Sequence, residues 1–341
     1  MEAAGTIHAV RPGATVLICG AAGLSGRSLA ELCLRLGATV VLSDRSADAD
    51  LGPELTAALD AQAPDDSPYF NRLVDARPRE DASLLDDFEF AMVLTAPGVP
   101  LSGELFQAAR ERGLPIRGEN DFGCEAIFKA MEQQMLPAPL IVALTGTDGK
   151  STTAALIAHL VNEATGLEAI ACGNFGLPIS RLVLDSFPED GPSSLPPVLV
   201  IECSSFQLEL VESLHPDVAM ILNLADDHLD RYAGRAEYLA AKLNIIACQN
   251  ERDILLAPRA IYTEAGLPID EVARVLPEDA PVTPAAAAAA QSQSNEAALQ
   301  VRIGRPRTIA VPTVAEVASE EQLLNAGKPF AALEDYPQPG L

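Results

Sequence analysis

Basic residues are scarce in this chain: 23 lysines and arginines face 48 aspartates and glutamates, a formal charge of -25 over 341 residues. No Lys/Arg cluster relieves that balance, so the surface repels nucleic acid and anionic lipid, and neither is expected as a partner. An anionic ligand would need backbone donors, a few local cations and a metal. No run reaches the roughly 18 apolar residues that a membrane span needs, which argues against stable membrane insertion. The six cysteines (Cys19, Cys33, Cys124, Cys172, Cys203 and Cys248) form no CxxC pair. No secretory leader is read ahead of them, and the four histidines do not cluster with them. These absences exclude a disulfide framework and a structural zinc site, and point to buried free thiols in a cytoplasmic protein. There is no lack of apolar material: 48% hydrophobic residues suffice for two ordinary domains.

Thr15 to Cys19 reads as a buried parallel strand opening onto Gly20, Gly23 and Gly26. A helix is expected from Ser28 to Leu36, stopped by Gly37, then a strand from Thr39 to Leu42 ending at Asp44. This is half of a dinucleotide-type fold. A strand at Ala91 to Thr95 runs into Pro97 and Gly98, and a helix follows from Glu104 to Arg112. The βα pattern restarts after Pro137 to Pro139, with a strand at Leu140 to Leu144 and a helix from Ser151 to Glu163. Further strands are expected at Val198 to Ile201 and Val218 to Leu222, with a helix from Phe206 to Glu212 between them, and a last strand within Arg305 to Pro312. The expected class is therefore α/β. A Rossmann-like domain over 1-137 precedes a P-loop mononucleotide-binding domain with a mainly parallel sheet over 138-341, whose 285-295 segment is low in complexity.

Thr145-Gly146-Thr147-Asp148-Gly149-Lys150-Ser151-Thr152 sits between strand and helix, the context a phosphate-binding loop requires. Its glycines let backbone N–H groups curl around a phosphate, Lys150 reaches the outer phosphates, and the Ser151 hydroxyl can ligate Mg²⁺. Asp148 is repulsive toward phosphate and must point away or toward a metal. Glu202, at the next strand end, can bind metal or orient water, or can be a solvated carboxylate; Ser204 and Ser205 can cap the helix that follows. His228, within Asp227-His228-Leu229-Asp230-Arg231-Tyr232, is a metal ligand or an ordinary polar side chain. Lys242 on its own reads as a solvated lysine on a helix. Asn174, in Gly173-Asn174-Phe175-Gly176, offers only a weak substrate contact.

Taken in order, these motifs resemble those of the Mur ligases, in the form whose members add D-glutamate to UDP-N-acetylmuramoyl-L-alanine during peptidoglycan precursor synthesis. The carrying segments are the loop at 145–152, Gly173-Asn174-Phe175-Gly176, Glu202-Cys203-Ser204-Ser205-Phe206-Gln207-Leu208-Glu209, Asp227-His228-Leu229-Asp230-Arg231-Tyr232 and Ala240-Ala241-Lys242. The resemblance implies that Gly146, Thr147, Asp148, Gly149, Lys150, Ser151 and Thr152 bind ATP. It also implies two Mg²⁺ ions, with Ser151 and Glu202 on the first, and His228 and a carbamylated Lys242 on the second. Lys150, Glu202, His228 and Lys242 become the catalytic set. Asn174, Ser204 and Asn223 would meet the sugar-peptide end of the substrate, while Leu24, Ser25, Asp44, Arg45 and Gly98 would hold its uridine diphosphate. The glycine turn alone suggests NAD; the resemblance redirects it to the UDP substrate. A monomer is expected. The family's third, carboxy-terminal domain has no counterpart before Leu341, which leaves open a non-catalytic nucleotide and UDP-sugar binding fragment. Another Mur-type or folylpolyglutamate-type ligase is the remaining alternative.

Overall fold

A computed structural model describes residues 9–45, 55, 73–77, 82–188, 191–225, 227, 231–268, 271–272 and 307–311. Short β-branched and aliphatic runs, buried on both faces, form its central strands, as parallel sheets covered by helices demand. The first sheet contains β1 (Thr15–Cys19), β2 (Thr39–Ser43), β3 (Leu73–Arg77), β4 (Phe90–Thr95) and β5 (Ile116–Gly118), in the order β3-β2-β1-β4-β5. Its described pairings are all parallel, so each connection must cross a face of the sheet. Helices α1 (Leu24–Arg35), α2 (Glu104–Glu111) and α3 (Glu119–Glu132) follow strands β1, β4 and β5. Leu17, Val93, Leu105 and Phe106 form part of one buried cluster of this region.

The second sheet begins with β6 (Leu140–Thr145), followed along the chain by α4 (Lys150–Thr165), β7 (Ala169–Gly173), α5 (Ile179–Asp185) and β8 (Val198–Glu202). Then come α6 (Ser205–Leu208), β9 (Val218–Ile221), α7 (Arg235–Leu243) and β10 (Ile254–Pro258). Strand β6 lies centrally, paired in parallel with β8 on one side and β9 on the other, and β7 pairs with β8. Leu144, Ala154 and Val200 pack helix α4 against this sheet. The helix expected from Phe206 to Glu212 is only the four residues of α6. Beyond it, Asp121 Oδ1 accepts the backbone N–H groups of Glu212, Ser213 and Leu214 at 2.9, 2.6 and 2.9 Å, donors that continuing helix would have used.

Those bonds belong to a seam at the start of α3, where three consecutive polar residues are buried and reach into the second sheet's surroundings. Glu119 Oε1 accepts from the backbone N–H and the hydroxyl of Ser180, both at 2.7 Å. Asn120 Nδ2 donates to the carbonyl of Glu202 at 3.4 Å. Asp121 also holds Arg117, which reaches Glu125 and Ser213 as well. Burial pushes the Glu119 carboxyl up to about 7, against the bonds from Ser180 and Ile179 that favour its charged form.

By its internal contacts the chain divides into a unit of residues 1–255 with 299–307 and a unit of 256–298 with 308–341. The first sheet and strands β6 to β9 lie in the first unit, and the boundary falls within β10. In the second, helix α8 (Arg259–Ala265) is described, and strand β11 (Glu271–Val272) pairs in parallel with β12 (Arg307–Val311). The low-complexity segment 285-295 lies outside the described residues. No described helix is long and apolar enough to cross a membrane. None of the six cysteines, all among the described residues, is in a disulfide; five are buried and Cys248 is partly exposed.

Candidate functional site

The carboxyl end of β6 runs into the loop at 146–149, and Gly149, at φ +76°, makes the left-handed turn that starts α4. The loop is braced from the end of β9. Asn223 Oδ1 accepts the N–H groups of Thr147 and Asp148, each at 2.9 Å, and its Nδ2 donates to the Asp148 carbonyl at 3.0 Å. This side chain, grouped with the sugar-side contacts in the sequence reading, is committed to the phosphate loop. The Lys150 ammonium folds back onto the Thr147 carbonyl at 2.9 Å. Ser151 and Thr152 follow in the first turn of α4, whose axis brings the positive end of its dipole to the loop.

Glu202 ends β8, beside β6, and is 1% exposed, which disposes of the solvated-carboxylate reading. Its Oε1 accepts from Asn174 Nδ2 at 2.9 Å, while its buried Oε2 has no hydrogen-bond partner among the described residues. Ser204 caps α6: its Oγ accepts the Gln207 N–H at 3.2 Å and the Gln207 side chain bonds back to the Ser204 N–H, a complete capping box.

Lys242, on α7, is not the solvated lysine that its bare sequence context suggests. It is 1% exposed, and its Nζ donates to the Gly146 carbonyl at 2.8 Å and lies 3.4 Å from Thr145 Oγ1. The Tyr238 ring, one turn earlier, covers it at 4.4 Å from Nζ to centroid. Burial, then the neighbouring charge of Lys150, pull its pKa down to about 7, with Asp227 and Cys203 acting the other way. A network that sequence reasoning missed supports this corner. Glu209 holds Arg231 with two bonds at 3.0 and 2.8 Å and accepts the Tyr232 hydroxyl at 2.6 Å. The Tyr232 ring stacks on Phe206 and leans on Tyr238 at 5.2 Å. The signal available was the spacing of aromatic residues across three separate motifs.

A hollow at the carboxyl end of the first sheet is lined by Leu24, Ser25, Asp44, Arg45 and Gly98 among others, so all five residues assigned to the uridine diphosphate come together there. Asp44 Oδ2 accepts the Ala22 N–H at 2.9 Å, fixing the glycine turn. A second cleft shares Gly98 and Pro100 with that hollow and continues past Arg110 to Phe206, Arg231 and Ala241.

Residues 144–265 match the family model described as the Mur ligase middle domain. That span is a Mur ligase middle domain. The chain is 38% identical over 241 residues to the UDP-N-acetylmuramoylalanine--D-glutamate ligase of Anaeromyxobacter dehalogenans (strain 2CP-C), covering 70% of this chain and 46% of that protein. The enzyme of that name from Aromatoleum aromaticum (strain DSM 19018 / LMG 30748 / EbN1) is 37% identical over 233 residues, 68% of this chain and 46% of its own. Among solved structures, the UDP-N-acetylmuramate:L-alanyl-gamma-D-glutamyl-meso-diaminopimelate ligase from Neisseria meningitides matches with a TM-score of 0.47 at 19% identity. That match covers 76% of this chain and 78% of the other. The chain spans about half the length of the curated relatives it matches.

The Mur ligase family implies ATP and Mg²⁺, and the residues present fit both. The orphaned, buried Glu202 Oε2 is an oxygen donor awaiting a partner, and hard cations take oxygen ligands. Among the described residues no three His, Cys, Asp or Glu side chains converge on one point. A magnesium ion held by Glu202 would share its shell with nucleotide phosphates and water, as Mg²⁺ usually does. His228 lies outside the described residues.

Proposed function

We propose that this chain carries the UDP-substrate and ATP sites of a cytoplasmic Mur ligase that joins D-glutamate to UDP-N-acetylmuramoyl-L-alanine. The observation that carries the reading is the convergence of Lys150, Glu202 and Lys242 around one phosphate loop, with a carboxylate oxygen of Glu202 left unpaired. The hollow around Asp44 and Arg45 would take the uridine diphosphate, and the cleft past Gly98 would lead the sugar-peptide toward the loop.

In the reaction, an oxygen of the substrate's terminal carboxylate attacks the γ-phosphorus of ATP, and the bond to ADP breaks. The D-glutamate amine then attacks the acyl carbon, phosphate leaves, and the amine loses a proton. Lys150 would leave the Thr147 carbonyl to meet the migrating phosphoryl charge, and the N-terminus of α4 would hold the β-phosphate. Ser151 and Glu202 would hold one Mg²⁺, with Asn174 orienting the Glu202 carboxylate. His228 and Lys242 would hold a second. When bound, these ions offset the repulsion between triphosphate and carboxylate. Asn174 and Ser204 face the same region as substrate contacts, Ser204 through whatever its capping bonds leave free.

Carbamylation of Lys242 requires a neutral amine, and an ammonium whose pKa is held down at about 7 supplies a large neutral fraction at about pH 7.5. Carbon-13 bicarbonate is expected to yield a carbamate carbonyl resonance that is absent from Lys242→Met.

The function is tested by incubating the chain with ATP, Mg²⁺, D-glutamate and UDP-N-acetylmuramoyl-L-alanine, following ADP release and amide formation. Turnover is the expected result. Tight binding of both nucleotides without turnover would reassign the chain as a binding module, and failure to bind either would sink the reading.

A further inference from the structure

Asp148 is the one acidic residue of the loop from Thr145 to Thr152. Both of its backbone polar groups are engaged by Asn223, the N–H at 2.9 Å and the carbonyl at 3.0 Å, so the residue's place in the loop is fixed by its main chain. Its side chain is exposed, and no ion pair joins it to Lys150, whose ammonium is turned to the Thr147 carbonyl three positions back. The carboxylate's field nevertheless reaches inward. Together with Asp227 it raises the pKa of Tyr238, whose hydroxyl lies 3.5 Å from Thr147 Oγ1, although burial is the larger cause of that shift.

A carboxylate held at the mouth of a phosphate loop acts on whatever charge enters. Metal-free ADP or ATP brings several negative charges within a Debye length of it, about 8 Å at physiological ionic strength. The magnesium complex brings two fewer, with the ion itself attracted to the carboxylate. We propose that Asp148 is a selectivity residue that disfavours metal-free nucleotide at this loop and leaves the magnesium complex almost unpenalised. The inference rests on the reading of the loop as a nucleotide site, and gives the only acid in that loop a purpose. Its geometry needs no direct bond to the metal, because the effect acts through space.

The test compares the whole chain with Asp148→Asn, which keeps the side-chain shape and the main-chain bonds to Asn223 and removes the charge. Affinities for ADP and ATP are measured by calorimetry in EDTA and again in saturating Mg²⁺. In EDTA the variant is expected to bind about 3- to 10-fold more tightly than the wild type, a gain that shrinks in high salt. In Mg²⁺ the two are expected to agree within about 2-fold. Equal affinities in EDTA, or an equal gain in both conditions, would overturn the proposal while leaving the nucleotide site intact. A loss of affinity in Mg²⁺ would overturn it too, by making Asp148 a metal ligand. Absence of nucleotide binding by both proteins under both conditions would remove the nucleotide reading itself, and the proposal with it.

Discussion

Lys150→Ala is expected to weaken ATP binding by about 100-fold, the loss of a charge-assisted contact to phosphate worth roughly 2–3 kcal/mol. It should also abolish measurable product formation. The same substitution should leave folding nearly unchanged, because the side chain is partly exposed and, among the described residues, bonds to the Thr147 carbonyl of its own loop. Lys150→Arg is not expected to restore the activity, since a planar guanidinium cannot take the place of a compact ammonium beneath the loop. Calorimetric titration with ATP and Mg²⁺, paired with thermal denaturation, checks both halves. A variant that binds ATP as the wild type does would remove Lys150 from the site.

Gly173→Ala should act on the opposite quantity, stability. Gly173 has φ +97°, and a Cβ there would lie 2.5 Å from the Glu202 carbonyl oxygen and 3.2 Å from Asn120 Nδ2. Neither is the loose end of a flexible side chain. The oxygen is main chain at the last residue pair of a parallel pairing, and Asn120 is buried at the helical seam. Backbone strain and forced displacement together should cost roughly 3–5 kcal/mol. The displaced segment carries both Asn174 and Glu202, so nucleotide-dependent Mg²⁺ binding should fall as well. Urea denaturation monitored by circular dichroism measures the first effect; a midpoint within error of the wild type would contradict it.

The central strands were legible because their residues repeat one physical demand. Val16, Leu17 and Ile18, or Val198 to Ile201, are apolar without alternation because both faces are covered. The phosphate loop was legible for a related reason: glycine, lysine and hydroxyl at fixed spacing between strand and helix answer a local chemical need. Helix α1 begins at Leu24, four residues before its expected start, because the glycine turn is itself the helix's first turn. Helix α3 left no readable stripe. Six consecutive residues, Glu119 to Cys124, are all buried, polar and apolar together, so no exposed face alternates with a covered one. The premature end of α6 depends on Asp121, 91 positions earlier in the chain than Glu212, and no local pattern carries that. Lys242 shows the same limit. Tyr238, one turn earlier, covers it from its own helix, but the Gly146 carbonyl beneath it lies 96 positions away, a contact that no window of sequence joins.

The seam formed by Glu119, Asn120 and Asp121 also bears on movement. A hinge between the first and second sheets would have to strip three main-chain donors from Asp121 and two hydroxyl and amide donors from Glu119, all inside protein rather than water. These two layers should therefore travel as one anvil. A ligand spanning the uridine hollow and the phosphate loop would meet a fixed distance between its two ends, and the length of the molecule would be measured by the protein before any chemistry begins.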